Sequence, residues 1–205
     1  MTARAPETRE RTAKGERSRK KMIDATAALL RKQGFHATGL AEIVAASGAP
    51  RGSVYFYFPG GKEQLACAAL SESGAMWRGL LDGVIDAAPD LGAAVEQVCH
   101  LLGDGLAASN WELGCPIATV ALEAATTSEA VRQTCADHFV AWEALIGRRL
   151  TALGLPASTA AETATFGLAA IEGALLLAKV RRDPGPLHAT GAMLRKLVDG
   201  LVVGV

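Results

Sequence analysis

The chain has 205 residues, half of them hydrophobic, with 21 basic and 21 acidic side chains and a formal net charge of zero. That length suits one domain or two small ones, and the apolar content is ample for a helical core. Lys, Asp, Glu or paired Gly interrupt every apolar run and the polar, basic N-terminus lacks an apolar segment, so the sequence predicts neither a membrane span nor a secretory signal. A cytoplasmic location is expected. There Cys67, Cys99, Cys115 and Cys135, with no C-x-x-C spacing, read as small buried hydrophobes. The zero net charge hides an asymmetry: residues 1–66 hold 12 Lys/Arg against 6 Asp/Glu, and residues 67–205 hold 9 against 15. A basic head on an acidic body is the arrangement of a DNA reader joined to a second module.

Residues 1–15 carry no apolar periodicity and are expected to form a disordered basic arm. From Glu16 to Gln33, Met22, Ile23, Ala27, Leu29 and Leu30 make a helical stripe, closed by Gly34 as a C-cap. Arg17, Arg19, Lys20 and Lys21 open that helix, placed for phosphates. Leu40, Ile43 and Val44 then share one face of a short helix that ends at Ser47-Gly48. Pro50 sits near the first turn of the next helix, which runs to about Tyr57 and carries Arg51, Gly52 and Ser53 at its start. Two short helices around a Ser-Gly turn are the arrangement of a helix-turn-helix, which presents the N-terminal end of its second helix to the major groove. A fourth helix is predicted from Gly61 to Ala87, a fifth from Leu91 to Ala108 and a sixth from Cys115 to Ala125. Ser128 caps a seventh reaching Ala152; Ala157 to Val180 and Leu187 to Val203 complete the set. Strand periodicity is absent, so the expected class is all-α with about nine helices. The expected division is an arm at 1–15, a helix-turn-helix domain at 16–60, and a ligand-binding and dimerisation domain at 61–205.

Gly34-Phe35, Ala37-Thr38, Ile43-Val44, Ser53-Val54-Tyr55, Phe58-Pro59, Lys62-Glu63 and Leu65 fall in one order. At these residues the chain resembles the TetR family of one-component transcriptional repressors. Gly60-Gly61 places one more residue before Lys62 than the usual family spacing. With Gly114-Cys115-Pro116-Ile117-Ala118, that doubled glycine resembles the drug- and flavonoid-responsive branch typified by LmrA. Gly39 departs from the hydroxyl residue often found there, leaving half a capping box with Glu42. Phe35, Tyr55, Phe58 and the first helix are expected to form the small core of the head.

The expected DNA-contacting set is Arg17, Thr38, Ala49, Pro50, Arg51, Gly52, Ser53, Tyr55, Phe56, Tyr57 and Lys62. Arg51 has two open roles, a guanine reader through O6 and N7 or a phosphate clamp. Ala49 and Pro50 suit thymine methyls, and Gly52 allows close approach of the backbone. Tyr55 and Tyr57, two apart, cannot share one helix face. The family pattern gives Tyr55 a backbone contact, whereas Tyr57 stays open between packing and phosphate. Lys62, at the start of the fourth helix, is placed to meet a phosphate together with the helix's own N–H groups.

In the body, the resemblance implies a pocket for a small apolar or aromatic effector. Met76, Trp77, Trp111, Cys115, Phe139 and Trp142 are the expected apolar lining, Phe166 an addition, and Thr119, Glu123 and His138 the polar groups that orient a ligand. The eighth helix is apolar round most of its circumference, as a helix buried on two sides must be. The family dimerises through its last two helices, which implies an interface of Phe166, Ala170, Gly173, Leu176, Leu194, Leu197 and Leu201. The partners are therefore double-stranded operator DNA, an effector and a second copy of the chain. No cofactor, metal cluster or catalytic constellation is expected: no H-E-x-x-H occurs, and Ser53 in Gly-Ser-Val is not a nucleophile elbow. A constitutive DNA-binding dimer and a helical protein adaptor are the alternatives.

Overall fold

The structure, a computed structural model, describes residues 6–50 and 52–203, with side chains from residue 15 to 202. The described residues form nine helices: α1 Pro6–Ala37, α2 Leu40–Ser47, α3 Ser53–Tyr57, α4 Gly61–Ala87, α5 Leu91–Ala108, α6 Pro116–Ala124, α7 Glu129–Ala152, α8 Ala157–Arg181 and α9 Gly185–Val203. No strand occurs among them. Helix α1 begins ten residues before the expected start at Glu16, so residues 6–15 are helical and the expected disordered arm is corrected there, while residues 1–5 lie outside the described residues. Helix α3 is shorter than expected. Pro50 stays outside it, accepting from Ser53 N at 2.9 Å in a turn.

Two glycines shape the head and its seat. Gly34 breaks α1 with φ +76°, and a Cβ there would lie 1.9 Å from Glu123 Oε1 on α6. Only glycine meets both demands, a left-handed backbone and a carboxylate at contact distance. Gly74, midway along α4, lies under His138, whose Nδ1 would sit 2.2 Å from a Cβ. That absence of a side chain lets α7 approach closely enough for Trp142 Nε1 to donate to Gly74 O at 3.2 Å.

Met22, Ile23 and Leu30 of α1 pack with Ile43, Val54 and Phe58, all essentially buried, in a core continuous with Leu65, Ala69 and Leu70 of α4. Helix α6 brings Ile117, Val120 and Ala124 to the same cluster, so the head is seated on α4 and α6. The rest of the body pairs α5 with α9 and α7 with both α4 and α8. Satellite clusters centred on Cys99, Leu106 and Leu187, and on Leu150, Leu155 and Val198, close its two ends. Helix α8 is long and apolar enough, by length and composition, to cross a membrane. The expectation that no stretch reaches that level is corrected. Its inner side packs on α7 and α9, and Glu162, Glu172 and Lys179 interrupt it.

Candidate functional site: reading face, cavity and joint

Helix α2 ends with Gly48 in the left-handed region, and the chain crosses to α3 through Ala49 and Pro50. Val54 of α3 and its C-cap Phe58 turn inward at i and i+4, which fixes the outward direction of the rest. Tyr55 is 64% exposed and Phe56 78%. The expected place of Tyr55 in the head core is therefore corrected, since Val54 takes that inward position. Pro50 and Gly52 are exposed and Ser53 is half-buried on the same side, while Ala49 is half-buried against the core. A Cβ on Gly52 would meet nothing within 4 Å, so its outer side is open to an incoming surface. Arg51 lies outside the described residues. Large exposed aromatics beside a short helix's start are the profile of a contact face, because water does not favour them.

Other residues expected at DNA take different places. Thr38 is fully buried, and its hydroxyl donates to Gly34 O at 2.7 Å. It closes the α1 break, and its expected DNA contact is corrected. Tyr57 is half-buried against the head core, with its hydroxyl near Gly15. Lys62 is half-buried: its Nζ sits 4.4 Å over the Phe35 ring and donates to His36 O at 3.4 Å. Burial holds its ammonium below the usual lysine range, against the pull of Glu123. Lys62 thereby links α4 to the end of α1. Arg17 is exposed on α1, and no ion pair or hydrogen bond holds it among the described residues. Arg19 leans its guanidinium on Phe58 at 5.2 Å, and Lys20 pairs with Asp24 and with Glu72.

In the body, a cavity of about 100 Å³ opens between α4, α5, α7 and α8. Trp77, Cys115 and Trp142 line it as expected, with leucines and isoleucines making most of the wall. Two charged residues not foreseen also line it, Arg31 of α1 and Glu172 of α8. Arg31 Nε donates to Gly114 O at 3.3 Å, so the head contributes a wall to the cavity. Burial lowers the Arg31 guanidinium from its usual value. Burial also raises the Glu172 carboxyl, although a hydrogen bond from the Cys115 thiol opposes the rise. The Cys115 thiol is pushed well up by burial and by the nearby Glu172 charge. Its sulfur additionally accepts from Ala118 N at 3.4 Å as the N-cap of α6. The indole N–H of Trp77 is buried with no partner. A donor in that state costs about 1–3 kcal/mol until an acceptor arrives.

The remaining residues expected at the ligand do not line this cavity. Met76 is 59% exposed, because it lies one residue off the Trp77 face of α4. Trp111 packs with the cluster around Leu106, and Thr119 spends its hydroxyl on Cys115 O at 2.8 Å. His138 covers Gly74, and Phe139 supports Trp142 edge-on with ring centroids 5.8 Å apart. Glu123 is committed to the head: it accepts from His36 N at 2.8 Å. Phe166 faces outward from α8.

The expected interface divides in the same way. Phe166, Gly173 and Leu176 are exposed and Ala170 is half-buried, joined on the surface by Leu177, Val180 and Met193. Leu194 is buried, and with Leu197 it lines a second cavity of about 70 Å³. Leu201 packs against the cluster around Leu150. Leu194 belongs to the interior of the protomer, because the apolar stripe of α9 turns toward α5, and its expected place in the interface is corrected; Leu197 and Leu201 are half-buried on the same side of α9.

A helix-turn-helix head with exposed aromatics on its second short helix, seated on an all-α body that holds an apolar cavity, defines the class of helix-turn-helix transcriptional regulators. The family model for bacterial regulatory proteins of the tetR family matches residues 22–69, and that for the LmrA/YxaF-like C-terminal domain matches residues 92–193. An HTH-type transcriptional regulator of Mycobacterium tuberculosis strain H37Rv is 35% identical over 185 residues, 88% of this chain and 93% of that one. The regulators YxaF and LmrA of Bacillus subtilis are 34% and 33% identical, with 91% and 83% of this chain and 97% and 90% of theirs covered. The crystal structure of a regulatory protein TetR from Rhodobacter sphaeroides superposes with a TM-score of 0.76 at 23% identity, covering 86% of this chain and 96% of that one. The chain belongs to the TetR family of transcriptional regulators, with an LmrA/YxaF-like C-terminal domain.

Proposed function

We propose that the protein is a cytoplasmic, homodimeric repressor whose grip on operator DNA is released when a small apolar or aromatic molecule enters the cavity between α4, α5, α7 and α8. The observation that carries the reading is Arg31. It belongs to the helix that frames the DNA head, yet it forms part of the cavity wall and holds Gly114 at the mouth of α6. An occupant therefore touches a residue of the head directly. Residues 16–60 are the reading domain in this proposal and residues 61–205 the sensing and pairing domain. Pro50, Gly52, Ser53, Tyr55 and Phe56 form the contact face, joined by Arg51 and Arg17. The exposed band of Phe166, Gly173 and Leu176 pairs two copies through α8. Two heads so joined must sit about 34–36 Å apart, or a multiple of that, to read successive half-sites.

The test retains the protein on a promoter-length duplex and then titrates candidate compounds. Tryptophan fluorescence reports occupancy through Trp77 and Trp142. A hundredfold loss of DNA affinity needs about 2.7 kcal/mol of coupling, and DNA must then weaken the compound's binding by the same factor. A compound that quenches tryptophan yet binds free and DNA-bound protein equally would establish the constitutive reading instead.

A further inference from the structure

The two cavities are not independent. Leu81, Val98, Ile146 and Ile171, one residue from each of α4, α5, α7 and α8, line both of them. On either side of this four-residue diaphragm the lining continues at intervals of four. Along α4 the order is Trp77, Leu81, Ile85; along α7 it is Trp142, Ile146, Leu150. Helices α5 and α8 run through the same levels, with Leu102, Val98, Ala94 and with Leu175, Ile171, Gly167. At 1.5 Å per residue, eight residues separate the ends of each ladder by about 12 Å. The cavities are thus stacked chambers along one axis, closed from each other only by aliphatic side chains.

The chambers differ in chemistry. The first has Arg31, Cys115, Glu172 and the unpartnered indole N–H of Trp77. In the second, Thr163 is the one side chain with a polar atom. Neither holds a drug-sized molecule, since about 100 and 70 Å³ fall far below the 300 Å³ or more of ordinary ligand pockets. A slender occupant that parts the diaphragm by rotamer changes fills both without moving a backbone. We infer that the stacked chambers bind a medium-chain aliphatic amphiphile, its uncharged hydrogen-bonding head between Trp77 and Glu172 and its saturated tail threaded past Leu81, Val98, Ile146 and Ile171. An alcohol suits the head position, because its oxygen accepts from the indole N–H while its proton is donated to the carboxylate. A saturated chain with C–C bonds of about 1.5 Å advances roughly 1.3 Å per carbon, so the 12 Å ladder corresponds to a tail of about nine carbons. This inference rests on the sensing role proposed for the first chamber and adds the second chamber and the shape of the ligand.

The experiment titrates the full chain with 1-butanol, 1-hexanol, 1-octanol and 1-decanol, following tryptophan fluorescence below any micelle-forming concentration. Affinity is expected to rise about fourfold per methylene through 1-decanol, the equivalent of about 0.8 kcal/mol per buried CH₂. Gly167→Leu blocks the second chamber, since a Cβ there meets nothing closer than Leu194 Cδ2 at 4.0 Å. It should leave 1-butanol binding within twofold of wild type and abolish the gain beyond 1-hexanol. Thr163→Leu, on the same chamber wall, serves if Gly167→Leu fails to fold. Short alcohols that quench with no further gain along the series overturn the two-chamber inference and leave the sensing role standing. A gain along the series that both blocking variants retain overturns it too, because the tail then lies elsewhere. Silence from every alcohol overturns the inference alone, because the sensing role is tested separately by compounds that release the protein from DNA. Incremental binding without release from DNA supports the inference and defeats the repressor switch alone.

Discussion

Replacing Gly34 with alanine strikes the joint between the DNA head and the body, and its cost divides into two parts of different origin. The backbone at φ +76°, ψ −172° lies in a region open essentially to glycine alone, and holding an L-residue there costs about 1–3 kcal/mol. The new methyl would also stand 1.9 Å from Glu123 Oε1 and 2.8 Å from Oε2, so the carboxylate must leave. It then gives up the His36 N–H, a charge-assisted bond of 2.8 Å at an exposed site, which contributes about 0.5–1.5 kcal/mol. The expected loss is about 2–3 kcal/mol for Gly34→Ala and about 1 kcal/mol for Glu123→Ala. In the double variant the carboxylate is already gone, and only the backbone part remains. Urea unfolding of the four proteins at one fixed protein concentration measures the cycle, because the stability of a dimer depends on that concentration. The double variant should be more stable than the sum of the singles by about 0.5–1.5 kcal/mol. Additivity to within about 0.3 kcal/mol would refute the reasoning, since independent sites behave that way.

Three other expectations follow from the same geometry. Thr38→Val, which keeps the shape and deletes the hydroxyl bonded to Gly34 O, should lower stability by about 1–2 kcal/mol while the folded protein keeps its DNA affinity; Phe56→Ala should do the reverse, and unfolding curves beside duplex titrations separate the two. Phe166→Glu or Leu176→Arg should yield monomers at micromolar concentration with weakened operator binding, whereas an unchanged sedimentation coefficient would place the interface elsewhere. Burial holds the His138 imidazole below its ordinary value, against Asp137 and with help from Arg78, so the unfolded chain takes up the proton first. Stability should therefore fall as pH drops below about 6.5, and His138→Gln should flatten that part of the wild-type slope measured by urea unfolding.

The helices were legible wherever caps and breakers punctuate the chain. Gly61 and Ala87 bound α4 at the expected residues, and Ser128 caps α7 by accepting from Val131 N at 3.1 Å. The start of α1 was not legible, because residues 6–15 are helical without an apolar stripe to betray them. Facing was the weaker inference at the site. One residue separates Met76, exposed, from Trp77 in the cavity wall, and a shift of about 100° on a helix decides between them. Tyr55 and Tyr57 differ in exposure as two residues two apart on a helix should, but Tyr55 was expected in the core and is exposed, because Val54 and Phe58 set the inward direction. Arg31 escaped notice because it lies in the head, and its long side chain reaches a cavity that sequence order assigns to the body. Glu172 carried a usable signal: a lone carboxylate in the apolar run Ala169 to Leu177.

The cysteines bear on what kind of chemical message the body can receive. Burial pushes the thiols of Cys99 and Cys135 to about 11, and that of Cys115, on the cavity wall, well above its usual value. Oxidants and alkylating electrophiles attack the thiolate, and a pKa of about 11 leaves a fraction on the order of 10⁻⁴ ionised at pH 7. An electrophile arriving beside Cys115 therefore meets a protonated thiol in place of a thiolate nucleophile. In the proposed switch an occupant therefore binds beside a thiol that burial keeps protonated, and the response follows the occupant's concentration.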